Sequence, residues 1–92
     1  MIKVSEYFEG RVKSLGQELK GQKFTVGIME PGEYTFSTGN PELMEVIYGT
    51  MEARLPDGSS QIYRKGESFN VPGSSQFAVK VSDPVSYICY YD

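Results

Sequence analysis

Turn-forming residues recur along this chain at short intervals, and that punctuation constrains the fold more than any other feature. Glu30-Pro31-Gly32, Asn40-Pro41, Pro56-Asp57-Gly58, Lys65-Gly66, Val71-Pro72-Gly73 and Ser82-Asp83-Pro84 each carry residues that chain reversals favour. Strands are expected between them: Arg11 to Leu15, Lys23 to Met29, Tyr34 to Thr38, Glu45 to Tyr48, Thr50 to Leu55, Ser68 to Val71, Gln76 to Val81 and Val85 to Tyr91. Strands and turns spaced at about ten residues point to an all-β antiparallel sandwich or barrel.

Two segments read less simply. Asn40-Pro41-Glu42-Leu43-Met44-Glu45 resembles a helix start, with Asn as cap, Pro in the first turn and acidic residues at the positive end of the dipole. Gly49 would stop such a helix early, and Val46-Ile47-Tyr48 prefers a strand, so the segment is read as a turn leading into one. Ser5 to Glu9 is expected to form a single helical turn before Gly10.

A chain of 92 residues supports one domain with one modest core, for which five Phe and seven Tyr supply bulk. A net charge of -3 argues against binding nucleic acid, which requires clustered Lys and Arg. No run approaches the roughly 18 apolar residues of a membrane span. Met1-Ile2-Lys3-Val4 leads into polar sequence without a signal-peptide profile, so the cytoplasm is the expected compartment. Cys89 is the sole cysteine and is read as a small apolar strand residue rather than a reactive thiol. Histidine is absent, which removes the commonest metal ligand and the commonest general base together.

The landmarks of a cupin jelly roll are present in outline. Gly66-Glu67-Ser68-Phe69-Asn70-Val71-Pro72 matches the start of the second cupin motif, and Pro31-Gly32, Glu42 and Gly49 follow the first. Where metal-binding cupins carry histidines, this chain has Tyr34-Thr35-Phe36-Ser37-Thr38 and Pro72-Gly73-Ser74-Ser75-Gln76-Phe77. Glu42 alone stays near a ligand position, and one carboxylate does not make a transition-metal site. A pocket without metal or other cofactor is therefore expected.

A more specific resemblance runs from end to end. Glu6-Tyr7-Phe8, Val12 to Gly16, Gly32 to Thr38, Leu55-Pro56-Asp57, Phe69 to Gly73 and Ser86 to Cys89 resemble, in order, the pyrimidine/purine nucleoside phosphorylase family of small bacterial cupins. The resemblance implies cleavage of purine and pyrimidine nucleosides by inorganic phosphate, giving free base and ribose 1-phosphate. Such chemistry passes through a sugar with oxocarbenium character and asks for a phosphate site, a stabiliser of the positive sugar and a surface for the base.

Candidates for each task follow from residue type. For phosphate, Ser37 and Thr38 supply hydroxyls and Lys13 a cation, although Lys13 also reads as a solvent-facing strand lysine. Arg54 and Arg64 are chemically suited alternatives, but alternation with Met51, Ala53 and Leu55 places Arg54 outside. Glu42 is the catalytic candidate, stabilising the sugar cation or binding ribose hydroxyls, against the reading of a loop glutamate. Tyr34, Phe36, Phe69, Phe77 and Tyr87 offer stacking surfaces or ordinary core. Asn70 either bonds a base edge or satisfies its turn. A homodimer is expected, because a domain this small gains core by covering a sheet face or edge. The competing functions are a metabolite-binding cupin without activity and, behind it, a structural module.

Overall fold

The computed structural model describes residues 1–92 and contains ten strands and no helix. They are β1 (Lys3–Tyr7), β2 (Val12–Leu19), β3 (Gln22–Met29), β4 (Gly32–Ser37), β5 (Glu42–Tyr48), β6 (Thr50–Arg54), β7 (Ser60–Arg64), β8 (Ser68–Val71), β9 (Gln76–Val81) and β10 (Val85–Tyr91). Every pairing is antiparallel. Six strands form one sheet in the order β1-β2-β3-β10-β5-β8, and four form the other in the order β4-β9-β6-β7. This is the all-β antiparallel sandwich that the turn spacing predicts and the jelly roll that the cupin landmarks imply.

The pleat decides what goes inside. Met51 and Ala53 of β6 are buried while Thr50, Glu52 and Arg54 face out, as alternation requires. Phe77, Val79 and Val81 of the adjacent β9 share that inner face, and Val85, Tyr87 and Cys89 of β10 belong to the other sheet; together they form one continuous core. The alternation breaks once. The register between β5 and β10 slips at Ser86/Tyr87, so Ile47 has no partner and Tyr48 turns out to solvent.

Three local expectations need correction. Ser5 to Glu9 is not helical: β1 runs through Tyr7, and a left-handed turn at Phe8 and Glu9 follows. Pairing along all of β1 with β2 satisfies the backbone groups on its inner edge, whereas one isolated helical turn is costly to nucleate. Strand β7 was not expected, because an edge strand needs only one inward side chain, here Tyr63, and carries little apolar pattern. β5 begins at Glu42 rather than Glu45, which places Glu42 in a strand opposite Tyr91 and Val71 instead of in a loop.

Gly27 is required by close approach. It lies across from Tyr87 on the inner face, where a Cβ would come within 2.6 Å of both the Tyr87 Oη and the Lys13 carbonyl oxygen. The ring covers the gap that the glycine leaves. Gly27→Ala is expected to destabilise the fold by about 1–3 kcal/mol through overpacking, measured as a lower urea midpoint at unchanged slope.

Candidate active site

Between the two sheets lies a cavity of about 480 Å³, within the range of small-molecule sites. Its walls are assembled by alternation. Tyr87, Cys89 and Tyr91 enter from β10, Glu42 and Met44 from β5, Ser14 from β2, and Met29 from β3. The facing sheet supplies Phe77 from β9 and Phe36 from β4, with the exposed Thr35 and Ser37 on either side of Phe36. β1 and β4 are edge strands of opposite sheets, and the rings of Tyr7 and Phe8 meet Phe36 across the opening between them.

Glu42 is the one acidic side chain on this wall, and none of the lining side chains is basic. Burial raises its pKa above the ordinary 4.5, with a hydrogen bond from Cys89 working in the opposite direction. That bond runs from the Cys89 Sγ to the Glu42 Oε1 at 3.3 Å. Burial, reinforced by the Glu42 charge, pushes the Cys89 thiol far above its usual range. The thiol stays protonated and serves as a donor, not as a nucleophile. Tyr91 is likewise raised by burial, and its hydroxyl lies 3.1 Å from Thr25 Oγ1. Tyr87 is pushed up to about 12, mainly by burial. The inner surface is therefore a carboxyl group among neutral donors and aromatic rings, a setting that favours a developing positive charge.

Of the residues named from sequence, Glu42, Phe36, Ser37, Phe77 and Tyr87 come together on this cavity. Tyr34 and Phe69 stand behind its wall. The Tyr34 hydroxyl donates to the Glu30 carbonyl at 2.6 Å, and Phe69 lies against Tyr63 with ring centroids 4.5 Å apart. Thr38 is spent on structure: its hydroxyl donates to the Pro72 carbonyl at 2.7 Å and accepts from the Ser75 amide at 3.0 Å. Asn70 is exposed on a neighbouring groove with Gln22 and Tyr90, which Glu42 also lines. Lys13 lies on the outer face of its sheet, 3.6 Å from Glu6 and with a side chain 61% exposed. Arg54 and Arg64 are exposed on the other sheet.

Sequence reasoning missed Tyr7, Phe8, Ser14 and Tyr91. Two of them carried a signal. Val12 and Ser14 share a pleat face, so an inward Val12 makes Ser14 the inward polar residue and sends Lys13 out. Tyr91 continues the face of Tyr87 and Cys89 in the same way. Tyr7 and Phe8 were hidden by the helical reading of their segment. No group of three or more His, Cys, Asp and Glu side chains comes together in the structure.

Comparison with known proteins covers the chain end to end. The family model described as pyrimidine/purine nucleoside phosphorylase matches residues 2–91. The protein of that name from Tolumonas auensis is 50% identical over 92 residues, covering 99% of both chains. The crystal structure of a Vibrio parahaemolyticus protein of unknown function superimposes with a TM-score of 0.96 at 44% identity, covering 100% of this chain and 99% of that one. The Clostridium difficile EutQ protein, 20% identical with a TM-score of 0.71 over 87% of this chain and 61% of its own, shares the cupin-like fold alone. With a match of that length and half its residues shared with a relative of that name, the chain belongs to the pyrimidine/purine nucleoside phosphorylase family.

Proposed function

We propose that the cavity binds a nucleoside and that the chain cleaves its glycosidic bond with inorganic phosphate, reversibly, to free base and α-D-ribose 1-phosphate. Purine and pyrimidine nucleosides are both substrates, and the cytoplasm is the compartment. The observation that carries this reading, beside family membership, is Glu42: a half-buried carboxyl in an aromatic cavity whose lining holds no counter-cation. Such a group attracts positive charge where it develops, at the sugar.

In the forward reaction the bond from the anomeric carbon to the base nitrogen breaks, and its electron pair leaves with the base. A phosphate oxygen forms the new bond to that carbon, and the phosphate proton passes to the base. Glu42 as carboxylate stabilises the cationic sugar or accepts bonds from its hydroxyls. The Cys89 thiol holds one Glu42 oxygen in place. Phe36, Phe77 and Tyr87 present apolar rings to the base, and Ser14 presents an inward hydroxyl, while the exposed Thr35 and Ser37 alternate with Phe36 on β4.

We further propose that two copies pair through the outer face of the six-stranded sheet. Val4, Leu15 and Val26 are direct cross-strand neighbours there, and all three are exposed, as is Ile28 beside them. Glu6 and Lys13 add opposite charges to the same face, which a twofold axis can match in register. A molecule of 33 × 25 × 25 Å has a face on the order of 800 Å², about what each partner of a stable dimer buries. Sedimentation should give two chains at micromolar concentration, and Leu15→Glu should give one. Wild-type sedimentation as a monomer removes this pairing.

The decisive assay is base release from inosine and uridine with and without phosphate. Phosphate-dependent release, reversed by base and ribose 1-phosphate, is the expected result. Release without phosphate would indicate a hydrolase, and no release a metabolite-binding cupin. Glu42→Gln should lower kcat by about a hundredfold or more with little change in KM, since its contacts strengthen in the transition state. Lys13→Ala should leave the phosphate requirement within about twofold of wild type.

The pH dependence has a definite sign. Activity needs the carboxylate, so it should fall as pH drops through the raised Glu42 pKa, and Glu42→Gln should lack that limb. Folding binds the Glu42 proton more tightly than the unfolded chain does. Stability is therefore lost as pH rises from the ordinary 4.5 through the folded value, and stays lost above it. Glu42→Gln should raise Tm at pH 7, and the gain should vanish at about pH 4 and below.

A further inference from the structure

The connection between β1 and β2 has a backbone at odds with the residue that occupies it. Phe8, Glu9 and Gly10 have φ of 53°, 59° and 84°, and the Gly10 amide donates to the Tyr7 carbonyl at 3.2 Å. Two successive left-handed residues inside such a turn favour Asn, Asp or Gly. A bulky aromatic at positive φ is an outlier, because its Cβ crowds the backbone. Glycine would relieve the conformation at Phe8, so the ring must repay it.

Its contacts within the fold only half occupy it. The Phe8 ring lies 4.9 Å from Tyr34, tilted by 47°, and 5.5 Å from Phe36, at right angles to it. Phe8 nonetheless remains 41% exposed, and it lines the cavity at the opening between the two sheets. A ring needed solely for core packing would be buried, as Phe77 is. A partly open ring held in a costly conformation beside a cavity marks a contact with something that enters.

The register sets the distance from the chemistry. Glu42 lies opposite Tyr91 near one end of β10, whereas Tyr7 follows the Val12, Met29 and Val85 ladder to the other end. The Glu42, Phe8 and Phe36 side chains nonetheless line one cavity, because those of Phe8 and Phe36 reach into the space between the sheets. A ligand whose sugar lies on the Glu42 side of that cavity turns its base toward the Phe8 and Phe36 rings.

We propose that Phe8 is a specificity-determining residue of this site: its ring, together with Phe36, forms the face on which the base stacks. This rests on the reading of the cavity as a nucleoside site and deepens it. Stacking accepts any base because every base has a π-face, so the ring at position 8 sets the tolerance for purines and pyrimidines alike.

Equilibrium dialysis of labelled inosine and uridine in phosphate-free buffer tests the proposal without requiring turnover, alongside KM and kcat at saturating phosphate. Phe8→Asn fits the left-handed turn, so its Tm should equal or exceed that of wild type. Its Kd and KM should rise about tenfold or more for both nucleosides, with the larger purine losing more and kcat changing less than about threefold. Phe8→Tyr should retain wild-type binding, and Phe8→Leu, which keeps apolar bulk without a π-face, should not. Binding by Phe8→Asn within about twofold of wild type, or equal binding by the Leu and Tyr variants, overturns the proposal; the Leu and Tyr pair decides it if the Asn variant fails to fold. Wild-type protein that binds nucleosides without cleaving them refutes the phosphorylase reading while supporting the stacking role if the variants lose binding as stated. Wild-type protein that binds none overturns both.

Discussion

The constraint on which this structure depends is the pairing of β10 on both edges. It is hydrogen-bonded to β3 on one side and to β5 on the other, so its backbone groups are satisfied without solvent. Once both registers are set, the pleat has no freedom left, and Tyr87, Cys89 and Tyr91 must face inward. A slip by one residue would exchange them for Ser86, Ile88 and Tyr90, putting a hydroxyl in the core and losing the donor to Glu42. The register slip at Ser86/Tyr87 has its place here. It absorbs the mismatch near Ile47 at the far end of the strand and leaves the pairing of Glu42 with Tyr91 regular.

That geometry forces an electrostatic compromise. Glu42 shares its wall with Met44 and faces Phe77 across the cavity, and its hydrogen-bond partner on that wall is a thiol rather than a cation. A buried carboxylate without a counter-ion weakens the folded state, and a hydrophobic side chain there would pack at lower cost. The same absence of compensation leaves the field of the carboxylate available to a ligand. On the proposed reading, stability and site therefore pull against each other at one residue, a departure from consistent core design.

How much of this was legible in the sequence follows from which signals are local. Turn residues and alternation are local, so the strand at Gln76 to Val81 was read with its true limits, and Arg54 was placed outside correctly. Edge strands carry weaker patterns because one face or one edge is wet, which is why β7 was missed and β1 misread. The site depends on register between strands distant in the chain. Glu42 and Cys89 lie 47 positions apart, and nothing in either neighbourhood announces that a thiol meets a carboxylate. Lys13 shows the converse. Its charge suggested an anion site, but its neighbour Ser14 shares the inward face of Val12, and parity alone sends the lysine out.

Parity also separates two kinds of recognition on the proposed reading. The polar groups of the cavity, Glu42 with Cys89 and Tyr91, gather on the β5 and β10 wall, where they can address the part common to all nucleosides, the sugar. The rings of Phe36 and Phe77 come from the facing sheet, and they are stacked with centroids 5.5 Å apart. A site that rejects one base in favour of another needs buried donors and acceptors that the wrong base leaves unpaired. An aromatic wall has none to leave unpaired, so it discriminates weakly among flat rings of similar size. Breadth for the base then has a physical cause on this reading: the Phe36 and Phe77 rings offer a face without a donor or acceptor that one particular base must meet.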